Sequence, residues 1–463
     1  MKLVLIGVGV RSPLFVAVAL KRARRLAIDE LVLLDVDEER VQVFGAICSV
    51  LRNEAGVSLR LNGTTDARSA LDGADHVVSS IRVGLEGGRV ADERIALKHG
   101  VLGQETTGPG GFAMALRNVP EILRYAALLR DLSPKAWFYN FTNPAGLITQ
   151  ALRDRGFERT VGICDSGNAA QRSIAQWLSV PESMCRAETY GLNHLSWTRR
   201  VWLGDEEVLA GLLRDPTFIA GTNQNMFEPE LRDLIGVWLN EYLYYWYYYD
   251  RALASIRSET RTRGEEIVDL TRALMDQLRS VDIARESWKA REVFYAYQER
   301  RSATYMHYAS PGAPTMEQAD ASPAGKAART PLANVDEGYA GVTFDVIEAI
   351  ETGRRVCTAV NVPNQGAIDG FPDGDVVEVS CDVDESGVHP VRIGEVSALS
   401  AALMRTVKLY ERLTIKAVLD QSRPDAIRAL MAHPMVTSYS LARALVDDYA
   451  VAHNRYVPWL KSR

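Results

Sequence analysis

The chain contains 463 residues, of which 47% are hydrophobic and 24% are charged, and its formal net charge is −6 at pH 7. This size and composition are typical of a soluble globular protein with two or three domains. The net negative charge argues against nucleic acid or an anionic membrane as a partner, and no apolar run approaches the roughly 18 residues of a membrane span.

The five cysteines are an odd number, scattered along the chain. Such a set does not make a disulfide framework, and it predicts a protein of the reducing cytoplasm. The apolar run at the N-terminus is short and interrupted by glycines, so we do not expect a signal peptide.

The first 35 residues have the pattern of a dinucleotide-binding βαβ unit. Residues 2–6 predict a strand, 14–26 a helix and 30–34 a second strand, with Gly7 and Gly9 after the first strand. Glycines in this turn let the backbone approach a pyrophosphate, which the amino end of the helix also binds.

Three further residues complete this prediction. We expect Val10 to lie in the same phosphate-binding turn, and Asp35 to accept hydrogen bonds from the adenosine ribose, which disfavours the 2′-phosphate of NADP. Ser12 occupies the position of the third glycine of the usual fingerprint. The predicted cofactor is therefore NAD, bound by an imperfect fingerprint.

Further strands are predicted at 76–81, 136–140 and 160–164, separated by helical segments such as 118–132. This alternation indicates a parallel sheet covered by helices, in which ligands bind beyond the carboxyl ends of the strands. The residues predicted at or just beyond those ends are Gly7, Asp35, Arg82, Asn143 and Cys164.

The second half of the chain has a different pattern. Residues 228–278 predict mainly helix, 309–333 a Pro- and Gly-rich surface loop, 356–362 and 376–383 strands, and the region from 395 onward helices. The predicted fold is α/β, with a Rossmann-like NAD-binding domain at 1–195. The predicted second domain, at 196–463, is a mainly helical α+β catalytic and oligomerisation domain.

Cys164 and His194 are a candidate metal-binding pair. They occur in the segments V-G-I-C-D-S and Y-G-L-N-H-L, and a thiolate and an imidazole can share one divalent ion. A metal beside a nicotinamide suggests chemistry at a carbon that bears a hydroxyl group. The alternative is structural, with Cys164 ending a buried strand and His194 bonded to a backbone carbonyl.

These features together resemble glycoside hydrolase family 4, the NAD- and metal-dependent glycosidases. The matching segments, in chain order, are G-V-G at 7–9, R-V-G-L-E-G-G-R-V-A-D-E-R at 82–94, G-Q-E-T-T-G-P-G-G-F at 103–112, N-F-T-N-P-A-G at 140–146, G-I-C-D at 162–165, G-L-N-H at 191–194 and V-N-V-P-N-Q-G-A-I at 360–368. The central segments are most similar to the 6-phospho-β-glucosidase branch.

The resemblance implies a reaction without the usual pair of carboxylates. NAD⁺ would take hydride from C3 of the sugar, a base would remove the C2 proton, and the C1 group would leave by elimination. Water would then add and the hydride would return. The resemblance also implies Mn²⁺ or another divalent metal on Cys164 and His194, which would stabilise the C3 oxyanion.

The same resemblance implies roles for further residues. Tyr242 matches the position of the base, with Tyr244 and Tyr245 as alternatives one turn or less away. Its phenol would ionise only if the metal and nicotinamide charges favoured that form. Asp165 would be the general acid, or else a carboxylate that orients His194 or a metal-bound water.

A sugar 6-phosphate would be bound by arginine, whose planar fork forms paired hydrogen bonds with phosphate. The candidates for substrate binding are Arg89, Asn143, Arg301 and Arg11, and Arg82 is a candidate for cofactor binding. Glu93 and Arg94 predict an ion pair with each other at the surface or between domains.

Several alternatives stay open from the sequence. The segment C-D-S-G at 164–167 matches no branch of the family completely, so the chain could also be a 6-phospho-α-glucosidase or act on unphosphorylated sugars. A plain NAD-dependent sugar or cyclitol oxidoreductase and an inactive nucleotide sensor are the other two classes. The predicted partner is a small-molecule glycoside, and the predicted assembly is a homodimer or homotetramer.

Overall fold

The computed structural model describes residues 1–309 and 338–461. This part of the chain contains one large mixed sheet, a smaller antiparallel sheet and helices that pack on both. The loop predicted at 309–333 lies, except for its first residue, outside the described residues.

Six strands from the first part of the chain form the parallel core of the large sheet. Strands β1 to β6 are Lys2–Ile6, Glu30–Leu34, Arg60–Thr64, His76–Ser79, Trp137–Asn140 and Thr160–Gly162. Helices α1 to α7 are Ser12–Arg22, Glu38–Ala55, Ala67–Leu71, Leu85–Lys98, Pro109–Leu132, Ala145–Asp154 and Ala169–Leu178. Strand β1 is apolar and buried after its first residue, Lys2, because helices cover both faces of a sheet of this kind.

The strand order confirms the predicted Rossmann-like fold. The six strands pair in parallel in the order β3-β2-β1-β4-β5-β6. Leu5 of β1, for example, is in register with Leu33 on one side and Val78 on the other. In sheets with this order, ligands bind where the connections diverge, between β1 and β4.

The middle of the chain adds the small sheet and a group of helices. Strands β7 to β10 are Cys185–Leu192, Leu195–Leu203, Glu206–Glu207 and Trp238–Leu239. Helices α8 to α14 are Leu209–Leu212, Pro216–Ala220, Pro229–Ile235, Tyr244–Tyr247, Tyr249–Ser258, Arg263–Arg279 and Ser287–Ala303. All pairings in this sheet are antiparallel.

The last part of the chain returns to the large sheet. Helix α15 spans Gly338–Thr352, strands β11 to β13 span Val356–Pro363, Val376–Asp384 and Gly387–Pro390, and helices α16 to α18 span Ala398–Leu419, Arg423–Ala432 and Tyr439–Ala452. Strand β11 pairs antiparallel with β6, so the three late strands extend the parallel core to nine strands. The predicted strands at 356–362 and 376–383 are thus present.

In the described residues no helix is both long and apolar enough to cross a membrane. All five cysteines are free thiols, and four of them are buried. The absence of a disulfide framework, predicted from their number and spacing, is confirmed.

Candidate active site

The turn after β1 depends on glycine at two positions. Gly7 has φ +98°, and a Cβ on it would lie 2.5 Å from the carbonyl oxygen of Ser80, at the end of β4. A Cβ on Gly9 would lie 2.6 Å from Nη2 of Arg40. Close approach to another backbone segment is the reason for glycine at position 7, whereas at position 9 a side chain would displace the guanidinium of Arg40.

Ser12 explains why the third glycine is dispensable. Its hydroxyl accepts a hydrogen bond from the Gly9 amide at 2.9 Å, and the Ser12 amide donates to the Gly9 carbonyl. The side chain is 1% exposed, so it lies inside the turn rather than towards a ligand. The turn is therefore closed by a hydroxyl at the place where the fingerprint has a third glycine.

Asp35 is held rigidly at the end of β2. Its Oδ2 accepts from the Val8 amide at 2.6 Å and its Oδ1 accepts from the Asp37 amide at 3.0 Å. Arg40 donates from Nε to the Val8 carbonyl at 2.9 Å. These contacts fix the carboxylate beside the glycine turn, where a ribose of a dinucleotide would lie.

The predicted cofactor residues all line one cavity of about 570 Å³, called here the nucleotide cavity. They are Gly7, Gly9, Val10, Asp35 and Arg82. Nη1 of Arg82 is buried and has no hydrogen-bond partner among the described residues. A buried donor without a partner is costly, so this geometry fits an anionic or polar group of a bound dinucleotide.

A second cavity, of about 360 Å³, is called here the tyrosine cavity. Its lining includes Tyr242, Tyr245, Tyr305, Tyr308 and Tyr339. The four predicted substrate residues line both cavities, namely Arg11, Arg89, Asn143 and Arg301. The structure therefore brings them together where the two cavities meet.

The loop at 104–107 borders the tyrosine cavity through Gln104 and Glu105. Oε1 of Gln104 accepts from the amides of Thr106 and Thr107 at 2.6 and 2.5 Å. Helix α5 begins directly against this loop, because a Cβ on Gly110 or Gly111 would overlap a carbonyl oxygen of the loop. The loop then presents Glu105 to the arginines and Thr106 to His194.

Glu105 neutralises two of the arginines. Its Oε2 accepts from Arg82 at 2.6 Å and from Arg89 at 2.8 Å. Burial alone would raise the pKa of Glu105, but the charges of Arg89 and Arg82 hold it well below its usual range. Sequence reasoning missed this residue, although its segment G-Q-E-T-T-G was among the matching blocks.

Arg89 has a second acidic partner. Its Nε donates to Oε1 of Glu93 at 2.7 Å, and Glu93 is buried and also accepts from the Gly264 amide at 2.7 Å. The predicted Glu93–Arg94 pair is wrong, because Arg94 bonds to Glu265 instead. The charge of Arg89 is thus already balanced on the protein.

Arg11 and Arg301 differ from Arg89 in this respect. Arg11 lies over the ring of Tyr339 at 4.5 Å, and Arg301 donates to the Tyr297 hydroxyl at 3.2 Å. No ion pair joins either of them to a carboxylate within residues 1–309 and 338–461. Burial and the neighbouring Arg11 charge lower the pKa of Arg301. Glu105 lies near both groups and Asp165 lies near Arg11, but neither guanidinium forms an ion pair with them, and two such close guanidinium groups fit an anion.

Cys164 and His194 are both buried and follow β6 and β7, which belong to different sheets. His194, in the turn between β7 and β8, has φ +60° and is bonded through Nδ1 to the Thr106 hydroxyl at 3.0 Å. Its Nε2 is buried without a hydrogen-bond partner among the described residues. Burial lowers the pKa of His194 to about 4, so the imidazole is neutral at pH 7.

Cys164 follows β6, and its Sγ lies 3.1 Å from the hydroxyl of Ser166. Burial raises the pKa of this thiol, and the charges of Glu378 and Asp165 raise it further. A neutral imidazole with a free nitrogen and a thiol suit a divalent metal such as Mn²⁺ or Zn²⁺. No cluster of three or more His, Cys, Asp or Glu ligands occurs in the described part of the chain, so other ligands would have to come from a substrate or water.

Tyr242 lies against the candidate metal ligand. Its ring stacks on that of His194 with centroids 3.7 Å apart and planes 2° from parallel, and Asn240 fixes its backbone amide at 3.0 Å. Burial raises the pKa of Tyr242 well above 10, and nearby Tyr339 and Glu105 act in the same direction. Ionisation of this phenol therefore needs added positive charge, as the sequence argument anticipated.

The two register alternatives lie in different places. Tyr245 also lines the tyrosine cavity, where its hydroxyl bonds to that of Tyr308. Tyr244 packs instead against Tyr248, with ring centroids 5.2 Å apart, and is absent from the cavity lining. Tyr242 is the tyrosine that touches His194.

Two of the carboxyl groups that line the tyrosine cavity are candidates for the general acid. Asp165, predicted as acid or orienting group, is joined by Glu241, which the sequence analysis did not single out. Glu241 accepts from Asn223 at 3.0 Å and from the Tyr305 hydroxyl at 3.4 Å. Burial raises the pKa of Glu241 to about 7, and the charge of Asp165 adds to this.

Comparison with known proteins agrees with this geometry. The model of the "Family 4 glycosyl hydrolase" matches residues 2–180, and that of its C-terminal domain matches residues 189–436. The chain is therefore a member of glycoside hydrolase family 4 and a glycoside hydrolase.

Three relatives cover nearly the whole chain. A protein of Bacillus subtilis named "probable 6-phospho-beta-glucosidase" is 30% identical over 99% of this chain and 97% of its own length. The 6-phospho-alpha-glucosidase 1 of Lacticaseibacillus paracasei is 27% identical over 98% and 97%. The structure of the Thermotoga maritima 6-phospho-beta-glucosidase with manganese, NAD⁺ and glucose-6-phosphate has 27% identity, a TM-score of 0.80 and 99% coverage of both chains.

Proposed function

We propose that this protein is an NAD- and divalent-metal-dependent 6-phospho-β-glucosidase. The observation that carries the proposal is the meeting of three features in one place. The glycine turn and the guanidinium groups of Arg11 and Arg301 line the two joined cavities. The Cys164–His194 pair lies beside them, because Asp165 follows Cys164 and Tyr242 stacks on His194, and both of these neighbours line the tyrosine cavity. A glycosidase of the ordinary kind needs no dinucleotide turn.

The side chains then have distinct tasks. When bound, the dinucleotide would accept and return the C3 hydride, and the metal on Cys164 and His194 would polarise the sugar oxygens. Tyr242 removes the proton at C2. Asp165 protonates the departing oxygen, or orients His194 if Glu241 is the acid.

The phosphate of the substrate binds between Arg11 and Arg301, with Asn143 beside it. Charge-assisted hydrogen bonds between arginine and phosphate are stronger than hydrogen bonds between neutral groups. Arg89 is the third arginine of this phosphate site, and its positive charge stays paired with Glu93 and Glu105. The named relatives act on phosphorylated glucosides, which supports this reading. The β preference rests on the central sequence blocks and on the Bacillus subtilis and Thermotoga maritima relatives.

The test is a substrate screen. Nitrophenyl α- and β-glucosides, each with and without a 6-phosphate, are incubated with the protein, NAD⁺ and Mn²⁺. We expect release of nitrophenol from the phosphorylated β-glucoside, with loss of activity after chelation and removal of nucleotide. Equal turnover without metal and nucleotide contradicts the mechanism, and release only from the α-glucoside reverses the branch assignment. NADH accumulation without nitrophenol identifies a plain oxidoreductase.

The assembly, compartment and domain division belong to the same proposal. We infer a cytoplasmic location, because the thiols are free and mostly buried. The homodimer or homotetramer is proposed from the family resemblance. We also propose domains at 1–195 and 196–463. Light scattering measures the assembly, and limited proteolysis locates the boundary.

A further inference from the structure

The C-terminal segment after α18 reaches the nucleotide cavity. Arg455 and Tyr456 both line it, and Tyr456 packs against the start of α4, since a Cβ on Gly84 would lie 3.6 Å from its Cε2. The family model of the C-terminal domain matches only as far as residue 436. This contact with the cavity is therefore made by a part of the chain outside the matched range.

The segment is firmly anchored on both sides of Tyr456. His453 precedes it, and its Nε2 lies 2.6 Å from Oδ1 of Asp92. Val457 and Leu460 follow it, and both are completely buried. Tyr456 itself is 37% exposed. Its buried neighbours in the chain therefore hold it at the rim of the cavity.

The same anchor also holds the loop that Tyr456 touches. Arg117 bonds to Asp92 through both terminal nitrogens, at 2.8 and 2.6 Å, and is fully buried. Its Nε donates to the Val83 carbonyl at 3.0 Å. One buried charged cluster therefore connects the end of β4 to the C-terminal segment and fixes the width of the space between them.

The position within the cavity indicates which part of a dinucleotide lies there. Asp35 marks the ribose end of the adenosine. Tyr125 on α5 lies near Asp35: burial raises the pKa of Tyr125, and the charge of Asp35 raises it further. Tyr125 and Tyr456 line the same cavity. The nucleotide cavity meets the tyrosine cavity, and with it the proposed sugar chemistry, at Arg11 and Asn143.

We propose that Tyr456 is an adenine-binding residue, whose ring packs against the adenine base and closes the outer end of the nucleotide cavity. This inference rests on the proposed use of NAD. Aromatic side chains bind bases by stacking, with an effect on alanine substitution of about 1–3 kcal/mol per base, which corresponds to roughly a 5- to 150-fold change in affinity.

The experiment measures binding rather than turnover. Calorimetric titration of the full-length protein with ADP-ribose, and separately with nicotinamide mononucleotide, gives a Kd for each half of the cofactor. For Tyr456→Ala we expect the Kd of ADP-ribose to rise about fivefold or more, with no change for nicotinamide mononucleotide. Tyr456→Phe should restore the affinity, because the ring remains.

The control is Tyr439→Ala, which removes an exposed tyrosine from the first residue of α18, outside the cavity lining. Circular dichroism and thermal unfolding show whether each variant is folded. Unchanged ADP-ribose affinity in folded Tyr456→Ala overturns the inference, as does equal weakening of both probes. If the unaltered protein binds neither ADP-ribose nor NAD⁺, the proposed cofactor fails as well, so the two failures are distinguishable.

Discussion

The nucleotide cavity and the tyrosine cavity are built from different parts of the chain. The first contains the backbone turn after β1 and the ends of β2 and β4, where Gly7 passes beside the Ser80 carbonyl. The second is formed by side chains that come from distant segments, such as Tyr242, Arg301 and Tyr339. A site made by backbone tolerates exchange of single side chains, whereas a site made by side chains does not. Single substitutions should therefore separate the two.

The largest effect is expected for Tyr242→Phe in the tyrosine cavity. The ring stack on His194 is preserved, but the phenol oxygen that would remove the C2 proton in its ionised form is lost, so kcat should fall by about 10²–10⁴-fold. Hydrolysis by the unaltered enzyme in D₂O should place deuterium at C2 of the released sugar, as proton NMR can measure.

Tyr244→Phe is the matched control, because that ring lies against Tyr248 and not in the cavity. A near-normal Tyr242→Phe together with only protium at C2 contradicts both the base and the elimination route. If deuterium appears while Tyr242→Phe stays active, Tyr245, which shares the cavity, becomes the candidate base.

The sequence predicted the nucleotide cavity more completely than the tyrosine cavity, for a physical reason. Local rules connect a strand, a glycine turn and an acidic residue after the next strand, so Gly7 and Asp35 could be placed without tertiary information. Glu241 and Tyr339 enter their site only through packing between distant segments. Their spacing along the chain carries no signal for that contact.

The arginines show the same limit. Arg89 was predicted to bind phosphate from its position in a matching block, and it does line both cavities. The pairing of its guanidinium with Glu93 and Glu105 could not be predicted, because the i,i+4 spacing of Arg89 and Glu93 is visible in the sequence but their burial is not. Burial turns this pair from a surface contact into a fixed part of the site.

A second large effect concerns the buried carboxyl of Glu378, which neighbours Cys164. Burial raises its pKa from 4.5 to about 7. Below pH 4.5 the group is neutral in both folded and unfolded states. As the pH rises from 4.5 to 7 only the unfolded chain ionises, so stability is lost, by about 3 kcal/mol in total. Glu378→Gln should remove this loss.

This loss of stability is measured by denaturant unfolding of the metal-free, nucleotide-free protein at pH 5 and pH 8. The difference in unfolding free energy between the two pH values should be smaller in Glu378→Gln than in the unaltered protein. The exposed Glu385→Gln is the control and should leave the difference unchanged. An unchanged difference in Glu378→Gln would mean that the carboxyl ionises without penalty in the folded state.

Within the tyrosine cavity, the two kinds of arginine should respond differently. Arg301→Ala removes a guanidinium that forms no ion pair with a carboxylate among the described residues, so its contact with phosphate should be lost in full. That loss is worth about 1.5–3 kcal/mol, which predicts a KM for a phosphorylated substrate at least tenfold higher. Unphosphorylated glucosides, if they are turned over, should be unaffected.

Arg89→Ala is the variant to compare with Arg301→Ala, because Arg89 is paired with carboxylates. We expect a KM increase of roughly tenfold or more here too if Arg89 touches the phosphate, together with reduced stability because Glu93 is left buried without its cation. An unchanged KM in both variants would move the phosphate site elsewhere, or show that the natural sugar carries none.

The smallest effect is expected in the nucleotide cavity, for Ser12→Ala. This change removes the hydroxyl that accepts from the Gly9 amide, and a net hydrogen bond is worth about 0.5–1.5 kcal/mol. The glycines and Asp35 still fix the path of the turn, so NAD⁺ affinity should fall less than about tenfold while kcat stays the same. Ser49→Ala, whose hydroxyl donates to a carbonyl within α2, controls for loss of a serine elsewhere. Titration with NAD⁺ measures the change, and a loss of binding as large as the predicted kcat loss of Tyr242→Phe would show that this cavity, too, depends on a single side chain.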